Sequence, residues 1–588
     1  MRQKSRISAP QVLVYPIRPQ WRTCTKCGKV WKDRHTCWGR GHRKTVGQKL
    51  TELDDYSLDL IKLTAFIGGR IPATALERLR KPRLTWDDNG EIRHSMYTEL
   101  AVVSQQDRCQ RAIQKLQRKG LLLFSKERAF EIPTTIRRNI ERATAQESGQ
   151  WKLRAFGAML HVFPAHRQLE PAQYAAIASE LLPQLQHVVR YIEEIRWQFQ
   201  HAEQATEAVD ACLSASNFLD ITWKEQILDA AERLIGPYTQ ARARLQLRRM
   251  TLNRIAETIA SEQQLHDMNL LLAQFQRHDK RSNAHLGEMK LFQARLMVDI
   301  EQHIDALSVL ADYEPLEANF TSRLEQIQLN DIALLRGEIY RYEGRFHTAR
   351  QCLLDLMDQK PEPRPITHID NLLCPPPPSQ KLVTHLSALS CETGFFEHAV
   401  LFLRDELRVL LDGGYPLDCR RATRVRLGLA EAHVMSVASS SVASWRQGKA
   451  SSNHLLESIS KATTLLDELR VQFSRMHNLG KVGKITRFRV FLASAMVCHL
   501  SGYLATALEF WRLALTYSRE SWPPGYTDAI ITYSLADLEY RKGNRTKAES
   551  LEQDAVQFLR VNKYRYHITG LGTIWPKYVQ TSITVHKR

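Results

Sequence analysis

Through the second half of the chain, apolar residues recur every three to four positions in long runs, the spacing of amphipathic helices, and the runs come in pairs. One hexapeptide punctuates four of those pairs, a glycine followed five residues later by an alanine. It reads Gly344-Arg345-Phe346-His347-Thr348-Ala349, then returns as Gly394 to Ala399, Gly502 to Ala507 and Gly543 to Ala548. Glycine suits the tight turn between two helices, and the small alanine lets the second helix press against the first. The pattern predicts helix pairs stacked along one axis, an architecture that usually serves binding.

The first copy extends further. Gly337, Tyr340, Gly344, Ala349, Leu353 and Pro361 take the spacing of a tetratricopeptide repeat (TPR), with small residues where helices cross and proline as a stop signal. The other copies are looser: Ala495 and Ala536 stand where Gly337 does, and Trp511 where Leu353 does. Gly502 to Gly543 span 41 residues, longer than the common unit of about 34, and Gly344 to Gly394 span 50 because Pro375 to Pro378 intervene. One more pair fits between Gly394 and Gly502, as Arg421 to Val437 and Leu455 to Met476 joined by a Ser-rich loop from Ser436 to Ser452. Upstream, Met289 to Tyr313 makes another, with Ala294 and Ala306 at small-residue positions. About six pairs are expected over residues 285–560.

From Leu58 to Ile140 the pattern is that of a small separate unit. Leu58, Ile61, Leu63, Ala65 and Phe66 predict an apolar helix; Ile71-Pro72 begins a second, Met96 to Val103 a third and Asp107 to Lys119 a fourth. Leu121 to Phe124 and Ala129 to Ile132, on either side of the polar turn Ser125 to Arg128, predict a hairpin. Helices followed by a short hairpin suit a winged helix.

This stretch resembles the winged-helix region of fungal NB-ARC or NACHT (STAND-type) signalling ATPases that end in tetratricopeptide repeats. The resemblance rests on Leu116-Gln117-Arg118-Lys119-Gly120-Leu121-Leu122 running into Phe130-Glu131-Ile132, then on Trp151, Leu160, Phe163-Pro164 and Leu181-Leu182-Pro183. The order winged helix, connecting helices, repeats covers roughly residues 55–560. Such families carry a nucleotide-binding domain upstream, whereas only about fifty residues precede the unit here and none makes a phosphate loop. Pro133 stands where the families place a nucleotide-contacting histidine. The resemblance therefore implies a sensor half without its ATPase.

Charge adds a second reading. Lys and Arg number 82 against 63 Asp and Glu, a net +19 and a pI near 9.5, which favours an acidic partner or nucleic acid. On the fourth predicted helix Arg108, Arg111, Lys115 and Arg118 form a basic stripe opposite Cys109, Ala112, Ile113 and Leu116. Such stripes are mostly solvated faces. As a recognition helix, with Gln110 and Gln114 as base readers, it would make the protein a nuclear DNA-binding regulator.

Thirteen basic residues and one acid, Asp33, fall in the first 49 positions. Within them Cys24-Thr25-Lys26-Cys27 is followed by His35, Cys37 and His42. Two thiolates on a tight turn can begin a tetrahedral zinc site, which Cys37 and His42, or His35 and Cys37, could complete. The role would be structural, since no water-activating carboxylate stands nearby; the alternative is a basic leader with incidental cysteines. Gly39 to Thr45 fails as a phosphate loop because Arg43 replaces the second glycine. Asp87-Asp88-Asn89-Gly90 lacks the first and twelfth carboxylates of a calcium loop and reads as an ordinary turn.

The ten cysteines are scattered, several in apolar stretches such as those of Cys352, Cys391 and Cys498, which argues against a disulfide framework and for a reduced, cytoplasmic setting. No stretch predicts a signal peptide or a membrane span. No Gly-x-Ser-x-Gly elbow, His-Glu-x-x-His or dinucleotide fingerprint points to an enzyme. The last segment, with Gly570, Gly572, Pro576 and the aromatics Tyr564, Tyr566, Trp575 and Tyr578, breaks helical periodicity and predicts an extended flap over the last repeat. The expected architecture is mostly α, a solenoid of TPR-like pairs after a small winged helix. Its divisions are a leader (1–50), the winged helix (51–145), a helical connector (146–284), the repeats (285–560) and a tail (561–588). The expected function is noncatalytic binding of a protein or peptide, with Arg336, Arg341, His385 and Arg489 as contact residues on first helices.

Overall fold

A computed structural model of the chain describes residues 22–23, 30–31, 46–95, 106–125, 128–164, 171–195, 202–216, 221–235, 239–358, 379–412, 417–447, 453–476, 479–521, 525–562 and 566–587. Strands β1 (Arg22–Thr23) and β2 (Val30–Trp31) pair antiparallel on either side of Cys24 and Cys27 in the sequence. Cys24, Cys27, His35, Cys37 and His42 lie outside the described residues, as does the expected helix from Met96 to Val103. Helices α1 (Val46–Thr51) and α2 (Asp55–Phe66) follow, α2 capped by Asp54, whose carboxylate accepts from the Ser57 N–H at 2.8 Å.

The expected helix at Ile71-Pro72 is instead strand β3 (Arg70–Pro72), and helix α3 (Ala73–Leu79) starts one residue later. Ile71 pairs with Phe130, and the fixed φ of Pro72 suits the entry to a helix. A hairpin of β4 (Arg83–Trp86) and β5 (Ile92–Ser95) leads on to α4 (Gln106–Arg118), then β6 (Leu123–Phe124) and β7 (Ala129–Glu131). Strands β3, β7 and β6 form one antiparallel sheet with β7 in the middle.

Helix α5 (Thr134–Ala143) follows β7, and the stretch expected as the connector holds α6 (Ser148–Val162), α7 (Pro171–Val189), α8 (Ile192–Ile195), α9 (Ala202–Ala215), α10 (Ile221–Ile235), α11 (Thr239–Ala256) and α12 (Ser261–Gln274). One apolar cluster runs from Leu50 through Trp151 and Trp223 to Leu252, so the small unit and the connector share a core.

The repeats are α13 (Lys280–Asp299) with α14 (His303–Ala311), α15 (Arg323–Tyr342) with α16 (Phe346–Asp358), and α17 (Ser379–Thr393) with α18 (Phe396–Asp412). They continue as α19 (Arg420–Gln447) with α20 (Asn453–Ser474), α21 (Lys481–Leu500) with α22 (Leu504–Ser521), and α23 (Tyr526–Arg541) with α24 (Arg545–Val561). These six pairs make the chain an α-solenoid of TPR-like units. The four hexapeptide glycines have φ of 74°, 86°, 77° and 81°, the left-handed turn that a side chain would strain. Ala349, Ala399, Ala507 and Ala548 are fully buried where the helices cross. The predicted Ser-rich loop is helical as far as Gln447. Ser441 there donates to the Val437 carbonyl at 2.8 Å, a bond that satisfies the hydroxyl within a helix.

Two contacts bend the array back on the N-terminal half. The Asp87–Gly90 turn between β4 and β5 docks on two repeat helices: the Asp88 carbonyl accepts from Arg281 N–H and the Gly90 carbonyl from Leu324 N–H, each at 3.0 Å. Glu91 accepts from Arg323 N–H at 3.1 Å. The hairpin thus satisfies N–H groups in the first turns of α13 and α15 that helix geometry leaves open. Farther along, Arg254 of α11 and Lys481 of α21 share Asp299, at 2.7 and 3.2 Å, and Lys484 pairs with Glu257.

The tail is not an extended flap. Residues 574–587 form helix α25 (Ile574–Lys587), which packs on α19 and α23. Pro576 sits in its first turn, where no backbone donor is needed. Trp575, Tyr578, Val579, Ser582 and Ile583 share its buried face. Among the described residues no helix is long and apolar enough to cross a membrane.

Candidate functional site

First helices of the pairs line the inner side of the solenoid, and the C-terminal segment lies across them. At its start the Tyr566 carbonyl accepts from Arg341 at 2.6 Å, and His567 stacks on Tyr342 with ring centroids 4.4 Å apart. Next, the buried Glu392 carboxylate of α17 accepts from the Gly570 N–H at 2.6 Å and the Thr573 hydroxyl at 2.9 Å. Burial raises the pKa of Glu392, an effect that Arg341 and these bonds only partly offset.

Helix α25 is held by a buried polar network. His499 and Asp537 are both fully enclosed, with Nε2 to Oδ2 at 2.6 Å, and Ser582 donates to Asp537 at 2.8 Å. Trp511 donates its indole N–H to His499 Nδ1 at 3.2 Å. Nδ1 is therefore an acceptor, so the proton sits on Nε2 and the ring is neutral. Desolvation lowers the His499 pKa in the same sense. Arg541 completes the set, donating to Ser582 at 2.7 Å and Tyr578 at 2.9 Å. His, Asp and Ser here do not form a nucleophile relay: the serine bonds the carboxylate, and no member reaches solvent.

Between the segment and the first helices remains a cavity of about 520 Å³, lined from α11, α13, α15, α17, α18, α19 and α21 and roofed by His567, Ile568 and Thr569. Its wall carries seven Arg and Lys side chains against two carboxylates, Glu338 and Glu431. Some of the cations are matched. Arg254 forks onto Asp299 at 2.7 and 3.0 Å, Arg489 onto Glu431 at 2.9 and 2.5 Å, and Lys381 reaches Asp331 at 3.3 Å. Burial alone would raise the pKa of Glu338, but His385, Tyr342 and nearby arginines hold it below the usual value.

Arg420 and Arg424, one turn apart on α19, make no hydrogen bond or ion pair among the described residues. Their surfaces open to water inside the concavity, but protein crowds them. Desolvation, with Arg420 and Arg489 adding repulsion, brings the Arg424 guanidinium down to about 10, and burial also depresses Arg420.

The residues expected to bind a partner divide. Arg341, His385 and Arg489 meet in this cavity. Arg341 is 6% exposed and Arg489 is paired, so both also hold the structure together. Arg336 does not line the cavity; its Nε is buried without a partner, and its charge bears on Cys352. Of the basic stripe on α4, Arg108 lies on the Tyr56 ring, 4.8 Å from its centroid, and Lys115 bonds Asp54 at 2.6 Å. Arg111 and Arg118 are exposed. Among the described residues no group of histidine, cysteine and carboxylate side chains could hold a metal.

Sequence reasoning missed Arg420, Arg424, Glu338 and Glu392. The available signal was two arginines four apart beside Ala422 and Gly428, on the first helix of a pair, where one face must turn inward. Finding the cavity also required knowing that helices 180 residues apart converge.

Fold and cavity together define a superhelical repeat protein of TPR-like helix pairs with its inner face partly occupied by its own C-terminus. No protein-family model matches the sequence, and no curated protein matches it. Among solved structures the chain is similar to a Signal Transduction ATPase with Numerous Domains (STAND) protein with a tetratricopeptide repeat sensor from Pyrococcus horikoshii. The identity is 12% and the TM-score 0.42, over 88% of this chain and 65% of that one. The chain thus spans less than two thirds of that protein's length.

Proposed function

We propose that this chain is a noncatalytic helical-repeat adaptor that recognises a protein or peptide partner, and that its repeats are related to the sensor half of STAND-type signalling proteins. The observation that carries the binding reading is the C-terminal segment itself. It lies on the inner face as a peptide ligand would, with backbone groups of Tyr566 and Gly570 read by Arg341 and Glu392 and aromatic anchors buried behind them. This supports an inner face competent to hold a helix and its lead-in turns. A strand order of β3-β7-β6, with α2, α3 and α4 around it, supports a winged helix as the N-terminal unit. The cysteines among the described residues are all free, in keeping with a reducing, cytoplasmic setting.

The test is affinity purification of the tagged full-length protein from its own cells, with and without nuclease, followed by mass spectrometry. Stoichiometric protein partners that survive nuclease are expected. Recovery of chromatin proteins alone, lost after nuclease, would replace the adaptor with a nuclear DNA-binding regulator.

A further inference from the structure

We propose that the inner cavity is a binding site for a small phosphate-bearing molecule, with Arg420 and Arg424 of α19 as its phosphate ligands. The inference concerns a small ligand held within the solenoid's concavity, separate from any protein held by the adaptor. Three observations converge on it.

The first is charge. Pairing Arg489 with Glu431, and Arg254 with Asp299, still leaves Arg420 and Arg424 side by side with no hydrogen-bonded or ion-paired carboxylate among the described residues, the charge of Glu338 acting on Arg424 only beyond ion-pair distance. Two like charges side by side repel, and although water reaches both guanidiniums and screens that repulsion, an anion between them would match it. A site kept in that state is the usual trade of stability for binding.

The second is hydrogen-bonding capacity. Guanidinium groups present planar forks of donors that match phosphate oxygens, and two forks one helical turn apart can engage one group from adjacent directions. Arg341, on the same wall and 6% exposed, also has a buried Nε with no acceptor. Cationic side chains outnumber carboxylates on this surface.

The third is size and lining. About 520 Å³ lies within the range of sites for compact metabolites, about 300–1,000 Å³, and is far too small for a folded partner. Leu335, Val298, Leu427 and Ile485 add apolar wall to the same cavity, so it suits a molecule with one anionic end and one less polar end. His567 to Thr569 form its roof, so a bound molecule would touch both the first helices and the C-terminal segment.

The experiment is isothermal titration of the full-length protein with inorganic phosphate, pyrophosphate and ADP as separate probes, with sulfate and acetate as controls, all at matched ionic strength. One-to-one saturable binding of at least one phosphate probe is expected, at least tenfold tighter than acetate. The Arg420→Gln/Arg424→Gln variant should bind that probe at least tenfold more weakly. Preference for ADP over inorganic phosphate would identify an organic phosphate as the ligand, and the reverse order the free ion.

The variant also carries a signature that a merely structural role would not produce: without probe its Tm should equal or exceed that of the unaltered protein, because an unmatched repulsion is gone. Should the double variant not fold, Arg424→Lys keeps the charge but not the fork, and a threefold or greater loss of affinity is expected. No saturable binding of any phosphate probe would overturn the proposal. So would equal affinity in unaltered and variant proteins, which would place the binding elsewhere on a basic surface, or a loss of Tm in a folded variant.

Discussion

Removing the indole of Trp575 should loosen the C-terminal helix from the inner face while the first repeats stay closed. The ring is fully buried, with centroids 5.7 Å from Trp511, 5.6 Å from His499 and 4.9 Å from Tyr578, and its N–H donates to Ser534 at 2.9 Å. Truncating a buried Trp to Ala costs about 3–5 kcal/mol. The lost hydrogen bond adds little, because the Ser534 hydroxyl keeps its own bond to the Ile530 carbonyl at 2.8 Å. About 3–5 kcal/mol taken from the opening of one helix corresponds to roughly a hundredfold to a few-thousandfold rise in its open population.

Hydrogen exchange read by mass spectrometry separates local from global effects. In Trp575→Ala, amides of residues 574–587 should exchange at least about a hundredfold faster, while those of α13 and α15 change by less than about threefold. Helix stacks lose stability unit by unit, and α25 touches α19 and α23 but not α13 or α15 strongly. Unchanged exchange in 574–587, or equal loss throughout, would refute the reasoning.

Two further outcomes follow from other parts of the molecule. At Gly90, φ is 70° and an added Cβ would lie 2.6 Å from Ser322 Oγ, so Gly90→Ala should lower the stability of the hairpin's docking by about 1–3 kcal/mol, read as faster exchange at Arg281 and Leu324 with α23 unaffected. Acid should also weaken the fold. His161 donates to the Lys81 carbonyl at 2.9 Å, and desolvation holds its pKa at about 4. Below the ordinary value of about 6.5 the unfolded chain takes up a proton that the folded one refuses, so stability falls with pH until about 4, by about 2 kcal/mol at pH 5 from this residue alone. Burial lowers the pKa of His285 and His499 in the same direction. Chemical denaturation at pH 7.5 and 5.0 checks the sign; equal or greater stability at pH 5.0 would contradict it.

Helix pairing was legible because its causes are local. Apolar spacing, a glycine that must turn left-handed and an alanine at a close crossing all act within about forty residues. Those features placed the six pairs and brought Arg341, His385 and Arg489 to one face. Ser436 to Gln447 were misread because serine composition suggests a loop, whereas a helix can bond a hydroxyl to its own preceding turn, as Ser441 does. The tail was misread because two glycines and a proline near 570–576 masked the helical spacing of Trp575, Tyr578, Val579 and Ser582 just beyond them.

The sequence by itself determined the repeat helices, the glycine turns within their pairs and the pairing of neighbours, since each depends on residues close along the chain. Only the tertiary structure decided that α25 would lie on the inner face, that Asp537 would meet Ser582, and that Arg420 and Arg424 would line a shared concavity. These outcomes depend on the small rotation from each pair to the next, summed over six pairs. That rotation is set by how side chains pack between helices, and no local pattern records its sum.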